Sequence, residues 1–212
     1  MILMLKGQSD IISIVLIIII AIGLVSTAYT WGIPLIQKQQ DTSLVQRVAS
    51  YFSNDNVNSV QKKIVYVATN GGEESFTEDT SGFWNLASNS STSIFNNSLS
   101  FTVFSRVSNV AVGSWTSLNG VPCPASSGTV GEDPYALCAR ADPLGNGFNV
   151  TYLVQFRPLY SNAQGYEIFL LQHPSGLSSS VSKVLRIQKG NSYATTINGQ
   201  NLIIIEAKIL LG

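Results

Sequence analysis

No charged residue occurs between Asp10 and Lys38, and most positions from Ile11 to Ile33 are apolar. As a helix this stretch reaches about 35 Å at ~1.5 Å per residue, enough to cross a hydrocarbon core of ~30 Å. Pro34 follows, and the hydrogen bond it removes predicts a kink. Beyond it, Leu44, Val45, Val48, Ala49 and Phe52 recur at i, i+1, i+4, i+5 and i+8, with Gln46 and Arg47 opposite. The helix therefore continues as an amphipathic rod whose apolar face docks on the rest of the chain. Ser43 and Gln46 have capping-box spacing, so a break at Asp41-Thr42-Ser43 is an alternative. The run SNDNVNS, Ser53 to Ser59, ends the helix with turn formers.

From Lys62 onward the period changes from 3.6 to 2. In FNVTYLVQF, residues Phe148, Val150, Tyr152, Val154 and Phe156 share one face and Asn149, Thr151 and Gln155 the other, with Leu153 the exception. Further strands are expected at 63–69, 75–78, 83–87, 100–107, 111–116, 166–172, 183–188, 192–197 and 202–210. Asn198-Gly199 between apolar runs is a strong hairpin signal, and Lys189-Gly190-Asn191 reads as a second. The last run, LIIIEAKILL, is apolar on both faces and suggests a central or interface strand. The expected class is α+β, with a long hydrophobic helix over residues 8–53 followed by an all-β domain over 60–212. That domain reads as a β-sandwich of about ten short strands.

Composition narrows the function. Charged residues are 11%, against ~25% for ordinary soluble domains. Lys plus Arg and Asp plus Glu number 12 each, which gives no electrostatic case for nucleic acid. The polar content is Ser, Thr, Asn and Gln, suited to a surface that packs against copies of itself. The apolar stretch has three readings. It is a plain signal anchor with Lys6 held on the cytoplasmic side. Or it is a secretory signal with Ser26 and Ala28 before the cut and a mature start near Tyr29, although about seventeen apolar or small residues then precede the cut, against an h-region of ~7–15. The third reading explains why Lys6, Gly7, Gln8, Ser9 and Asp10 come before the apolar stretch.

That order of residues, directly abutting an apolar helix, resembles the type III signals of archaeal type IV pilins and archaellins. The resemblance covers about forty N-terminal residues. It implies cleavage by a prepilin peptidase between Gly7 and Gln8, loss of a leader over 1–7, and retention of the helix. It further implies a membrane-inserted precursor, a pilus assembly machinery, and a cell-surface filament built from copies of the chain for adhesion or motility. Bacterial type IV pilins carry Glu at the fifth mature residue, where this chain has Ile12. Archaeal relatives commonly lack it. Asp10 reads as a first-turn acid favoured by the helix dipole.

Cys123 and Cys138 flank a fourteen-residue loop rich in Pro, Ser and Gly. A disulfide there would contribute about 3 kcal/mol in the chain-entropy model, and the alternative is two free buried thiols. Asn89, Asn96 and Asn149 open N-glycosylation sequons. Asn89 and Asn96 lie in a polar stretch expected to be exposed, and Asn149 on the polar face of a strand. Catalysis finds no support. His173, the only histidine, precedes a proline at the end of an expected strand and reads as a turn residue. No triad, paired carboxylate or phosphate loop stands out. Gly145-Asn146-Gly147 reads as a turn, and the acids from Glu132 to Gly147 lack EF-hand spacing. Two cysteines and one histidine do not complete a four-ligand metal set. The run Glu73, Glu74, Glu78, Asp79 reads as a solvated loop. The sequence thus points to no cofactor, no metal and no enzyme. The rival reading is a membrane-anchored extracellular binding domain, for instance for sugars, with Trp84 and Trp115 as cleft candidates.

Overall fold

The computed structural model describes residues 5–88, 94–162, 164–197 and 199–212, with side chains from residue 11 onward except that of residue 197. Two compact units divide the chain, Met1–Asp41 and Thr42–Gly212.

A single helix, α1 (Leu5–Tyr51), contains Pro34 and passes through residues 41–43 without interruption. The expected break at Asp41-Thr42-Ser43 does not occur, and the proline is absorbed within one run of helix. From Ile11 to Ile36 the large apolar side chains are exposed, Leu24 to 67% and Trp31 to 75%. The two threonine hydroxyls on this stretch are satisfied locally. Thr27 Oγ1 donates to Gly23 O at 2.8 Å, and Thr30 Oγ1 donates to Ser26 O at 3.1 Å. Back-bonding of this kind lets a threonine sit in apolar surroundings without a lost hydrogen bond.

The second unit begins with the amphipathic end of α1. Val45, Val48 and Phe52 are buried as their spacing requires, while Gln46 and Arg47 are exposed. The chain turns through 53–59 and enters α2 (Val60–Asn70). This corrects the strand expected at 63–69. Ile64-Val65-Tyr66-Val67 has strand-like composition, but Val60, Ile64, Val67 and Ala68 recur at i, i+4, i+7 and i+8 and are the apolar residues buried. Gly71 closes α2 at φ +87°, donating its N–H to Val67 O at 2.8 Å.

Twelve strands follow among the described residues: β1 (Glu73–Thr77), β2 (Phe83–Ala87), β3 (Ser98–Ser105), β4 (Thr116–Ser117), β5 (Gly128–Thr129), β6 (Tyr135–Leu144), β7 (Gly147–Phe156), β8 (Leu159–Tyr160), β9 (Gly165–Gln172), β10 (Ser179–Ser180), β11 (Val184–Ile197) and β12 (Gln200–Leu211). They form two six-stranded sheets, ordered β1-β11-β12-β9-β8-β5 and β10-β2-β3-β7-β6-β4. The fold is α+β, as the periodicities imply. β12 lies centrally, antiparallel to β11 and parallel to β9, in line with its two apolar faces.

One core joins both sheets to α2 and the end of α1. Its aromatic centre is Phe52, Phe76, Trp84, Phe101 and Tyr152. Trp84 and Phe101 have ring centroids 4.6 Å apart, and Phe52 stacks on Tyr152 at 6.0 Å. Burial of this kind contributes about 1.5–3 kcal/mol per large side chain.

Three local expectations are corrected. The strands at 183–188 and 192–197 are one strand, β11, and Lys189-Gly190-Asn191 is a β-bulge within it, where the register against β12 shifts. Gly190 fits because a Cβ there would lie 2.6 Å from Glu206 Cβ. The true turn joins Ile197 to Gln200 with Gly199 at φ +80°, and Asn198 lies outside the described residues. Of the strand expected at 111–116, only Thr116 falls in one, with a single bridge from Val112 to Ala141. No strand was expected at β6, because both its faces are covered and no alternation shows. Tyr135, Leu137 and Ala139 face the main core, whereas Ala136 and Cys138 face a second cluster with Phe95, Leu153, Trp115 and Val121. Leu153, the exception on its strand, is explained by the same cluster.

Cys123 and Cys138 form a disulfide with Cα atoms 6.1 Å apart. It pins the segment ahead of β6 over the outer face of the second sheet. Replacing both cysteines with serine is expected to cost about 3 kcal/mol, a fall in Tm of roughly 6–12 °C for a chain of this size. An unchanged Tm would mean that packing alone holds the segment.

Candidate functional site

Two features are candidates for function: the exposed apolar surface of α1, and a polar clasp where its last turns enter the β domain. The first is a property of an 18-residue window with mean hydropathy 2.9, none of it buried. Gly7 and Gln8 lie within α1, ahead of that window. Because α1 begins at Leu5 here, its first turn holds no acid, and Asp10 falls in the second turn. A chain starting at Gln8 would return Asp10 to the first turn.

The clasp is built from Arg47 and Tyr51, one helical turn apart on α1, and the residues after β1. Arg47 Nη1 donates to Asp79 Oδ2 at 2.7 Å, and the Tyr51 hydroxyl donates to Asp79 Oδ1. The Tyr51 hydrogen bond, helped by the Arg47 charge, holds the Asp79 carboxyl below its usual pKa. Both ion-pair partners are solvated, so the pair contributes less than about 1 kcal/mol. Tyr152 adds a second tie, its one hydroxyl proton shared between Val45 O at 3.4 Å and Asn109 Oδ1 at 3.2 Å.

Next to Asp79, Glu78 departs from the solvated loop expected of it. It is 2% exposed, and among the described residues neither carboxylate oxygen has a hydrogen-bond partner. Burial pushes its pKa up to about 8, with the Lys183 charge opposing and Asp79 adding to the rise. The folded state therefore holds a proton that the unfolded chain releases near pH 4.5. Stability is greatest below that value and falls as pH rises through about 8. Glu78→Gln is expected to match the parent at pH 5 and exceed it in Tm at pH 9. Equal pH dependence in both proteins would show that Glu78 is solvated. Glu73 and Glu74 lie on β1, Glu74 accepting from Lys63 Nζ at 2.9 Å and Glu73 from Gln188 Nε2 at 2.8 Å.

The sequons fall in different settings. Asn89 lies outside the described residues. Asn96 is half-buried with an enclosed carbonyl oxygen, and Asn97 and Ser98 after it are buried, so this stretch is not the exposed loop expected. Asn149 is half-buried on β7, opposite Phe104 and Asp142. Asn97 itself, which nothing in the sequence singles out, ties the two sheets together. Arg157, 6% exposed, does similar work at the domain edge through Glu132 Oε2 at 2.9 Å and Asp133 O at 3.0 Å.

Trp84 is fully buried in the core, and half-buried Trp115 packs against Phe95 with the Arg140 guanidinium 5.7 Å from its ring centre. Trp84 is therefore enclosed in the core and is not a cleft residue, which corrects its place in the sugar-cleft expectation. His173 shares a turn with Ser175, its Nδ1 2.8 Å from the serine hydroxyl. Among the described residues no group of three His, Cys, Asp or Glu side chains could hold a metal ion. Comparison with family models, with curated proteins and with solved structures gave no match.

Proposed function

We propose that the chain is a structural subunit of an extracellular filament of the archaeal type IV pilus kind, polymerised through α1 and serving adhesion or motility. The observation that carries this reading is the apolar surface of α1 from Ile11 to Ile36, which the chain itself leaves uncovered. Leaving so many large apolar side chains in water costs on the order of tens of kcal/mol at about 1.5–3 kcal/mol each. Two surroundings remove that cost: lipid before assembly, and the same helices of other copies after it. The internally bonded Thr27 and Thr30 suit both. The order Lys6-Gly7-Gln8-Ser9-Asp10 favours a prepilin peptidase cutting between Gly7 and Gln8, which frees the helix for an assembly machinery to extract. A net charge of zero and a surface of hydroxyls and amides let β domains pack as an outer layer without repulsion.

N-terminal sequencing of native protein tests the reading. A start at Gln8 is the expected result. A start at Met1, as for an anchored binding domain, or near Tyr29, as for a secreted one, would overturn it.

A further inference from the structure

β11 is fourteen residues long, and its two edges are unequally used. β12 pairs one edge along the whole strand, but β1 covers the other only from Val184 to Gln188. After the bulge at Gly190 and Asn191, the edge from Ser192 to Ile197 pairs with no strand among the described residues. Six residues at ~3.4 Å each leave about 20 Å of backbone donors and acceptors facing outward.

The side chains there have no burial to explain them. Ser192, Tyr193, Ala194 and Thr196 are exposed and Thr195 is half-buried, so both faces of the ribbon are open as well as its edge. Aromatic and β-branched residues favour a pleated, packed surface, yet Tyr193 and Thr196 are left exposed and Thr195 is only half-buried among the described residues. The means by which proteins blunt a free edge are mostly missing. From Asn191 to Asn201 there is no charge and no proline, and no helix or loop among the described residues hydrogen-bonds to the segment's main chain.

We infer that this edge is an interface between two copies of the chain, paired antiparallel about a two-fold axis through Ala194. In that register Tyr193 faces Thr195, Ser192 faces Thr196, and Ala194 faces its own copy. A second copy is the occupant because the segment is its own complement, as an isologous contact requires. Aromatic opposite β-branched and hydroxyl opposite hydroxyl are favourable cross-strand pairs. No charge is placed opposite a like charge, and an oppositely charged partner would find nothing to recognise. The contact uses no residue of α1, so it stands apart from helix-driven assembly and joins β domains laterally whether they are anchored or in filaments.

The test uses the full chain in detergent micelles. Its native cysteines are paired with each other, so a single introduced thiol reports cleanly. Ala194→Cys is expected to give a disulfide-linked dimer on mild oxidation, several-fold above Val181→Cys at another exposed site outside the segment. Ala194→Lys and Ala194→Glu should each abolish the dimer seen by sedimentation, and mixing the two should restore it. Since Ala194 is exposed, neither substitution disturbs the core, and an unchanged Tm confirms this. A monomeric parent, equal crosslinking at Val181→Cys, or a dimer that survives Ala194→Lys would overturn the inference. The last result would assign association to α1.

Discussion

Ile18→Asp in the full chain is expected to abolish recovery of the protein in sedimentable filaments while leaving the melting of the β domain unchanged. Ile18 lies inside the uncovered apolar run, two turns from its start at Ile11, and is half exposed. A charged residue at the centre of an apolar span costs about 2.5–3.5 kcal/mol, and an isoleucine contributes about −0.3 to −0.6. The exchange amounts to about 3–4 kcal/mol per subunit, a factor of roughly 10² to 10³. In a filament the cost recurs in every copy, each carrying an unpaired acid into an apolar core. Ile18→Leu is the control and should assemble. The β domain should be unaffected because its core takes residues of α1 only from Leu44 onward. Filament yield equal to the parent's would show that the helix is not the assembly surface. A companion chain of residues 42–212, which keeps that core whole, is expected to be a folded protein without need of detergent.

Asn97→Ala is expected to destabilise the β domain as strongly as truncation of a core aromatic. Asn97 is 4% exposed and sits at φ +56°, in the left-handed region. Its Nδ2 donates to Ile168 O at 2.8 Å and Glu167 Oε1 at 3.0 Å, and its Oδ1 accepts the Leu170 N–H at 2.7 Å. Its own carbonyl accepts the Phe156 N–H at 3.0 Å. One side chain at the start of β3 in the second sheet thus supplies the main chain of β9 in the first. Removing it strands a buried carbonyl and a buried N–H, at about 1–3 kcal/mol each. A left-handed alanine adds about 1–2 kcal/mol. The sum, roughly 3–8 kcal/mol, corresponds to a fall in Tm of about 6–32 °C. Asn97→Gly should lose the hydrogen bonds but recover the backbone part, and so sit about 1 kcal/mol above the alanine variant. A change under about 0.5 kcal/mol in urea denaturation of Asn97→Ala would show that these bonds do not hold the sheets.

The features readable from sequence are those whose signal is local. The apolar run of α1, its buried positions Val45, Val48 and Phe52, the strands β2, β7, β9 and β12, and the Cys123–Cys138 pair follow from spacing and composition. Each depends on a period, a turn residue or a short loop. β12 was readable as central because both its faces are apolar. α2 was not, since its β-branched residues suit a strand, and the sheet against which Ile64 and Val67 pack comes from distant segments. β6 showed no alternation, because the disulfide-bound segment covers the face that would otherwise be polar.

Alone, then, the order of residues determined a long apolar helix, a β-rich domain after it, and the means to join Cys123 to Cys138. Tertiary structure decided which polar residues matter. Glu78 and Asp79 are neighbours of like chemistry, yet one is enclosed without a partner and the other solvated beside Arg47. Asn97 lies in a stretch of Asn and Ser that reads as loop, and becomes a tie between sheets only when β9 arrives from about seventy residues away. Ser192 to Ile197 looks like any strand until the end of β1 leaves its edge open. Burial, partnership and edge status belong to pairs of segments, and a single chain order carries them only through the folded contacts between those segments.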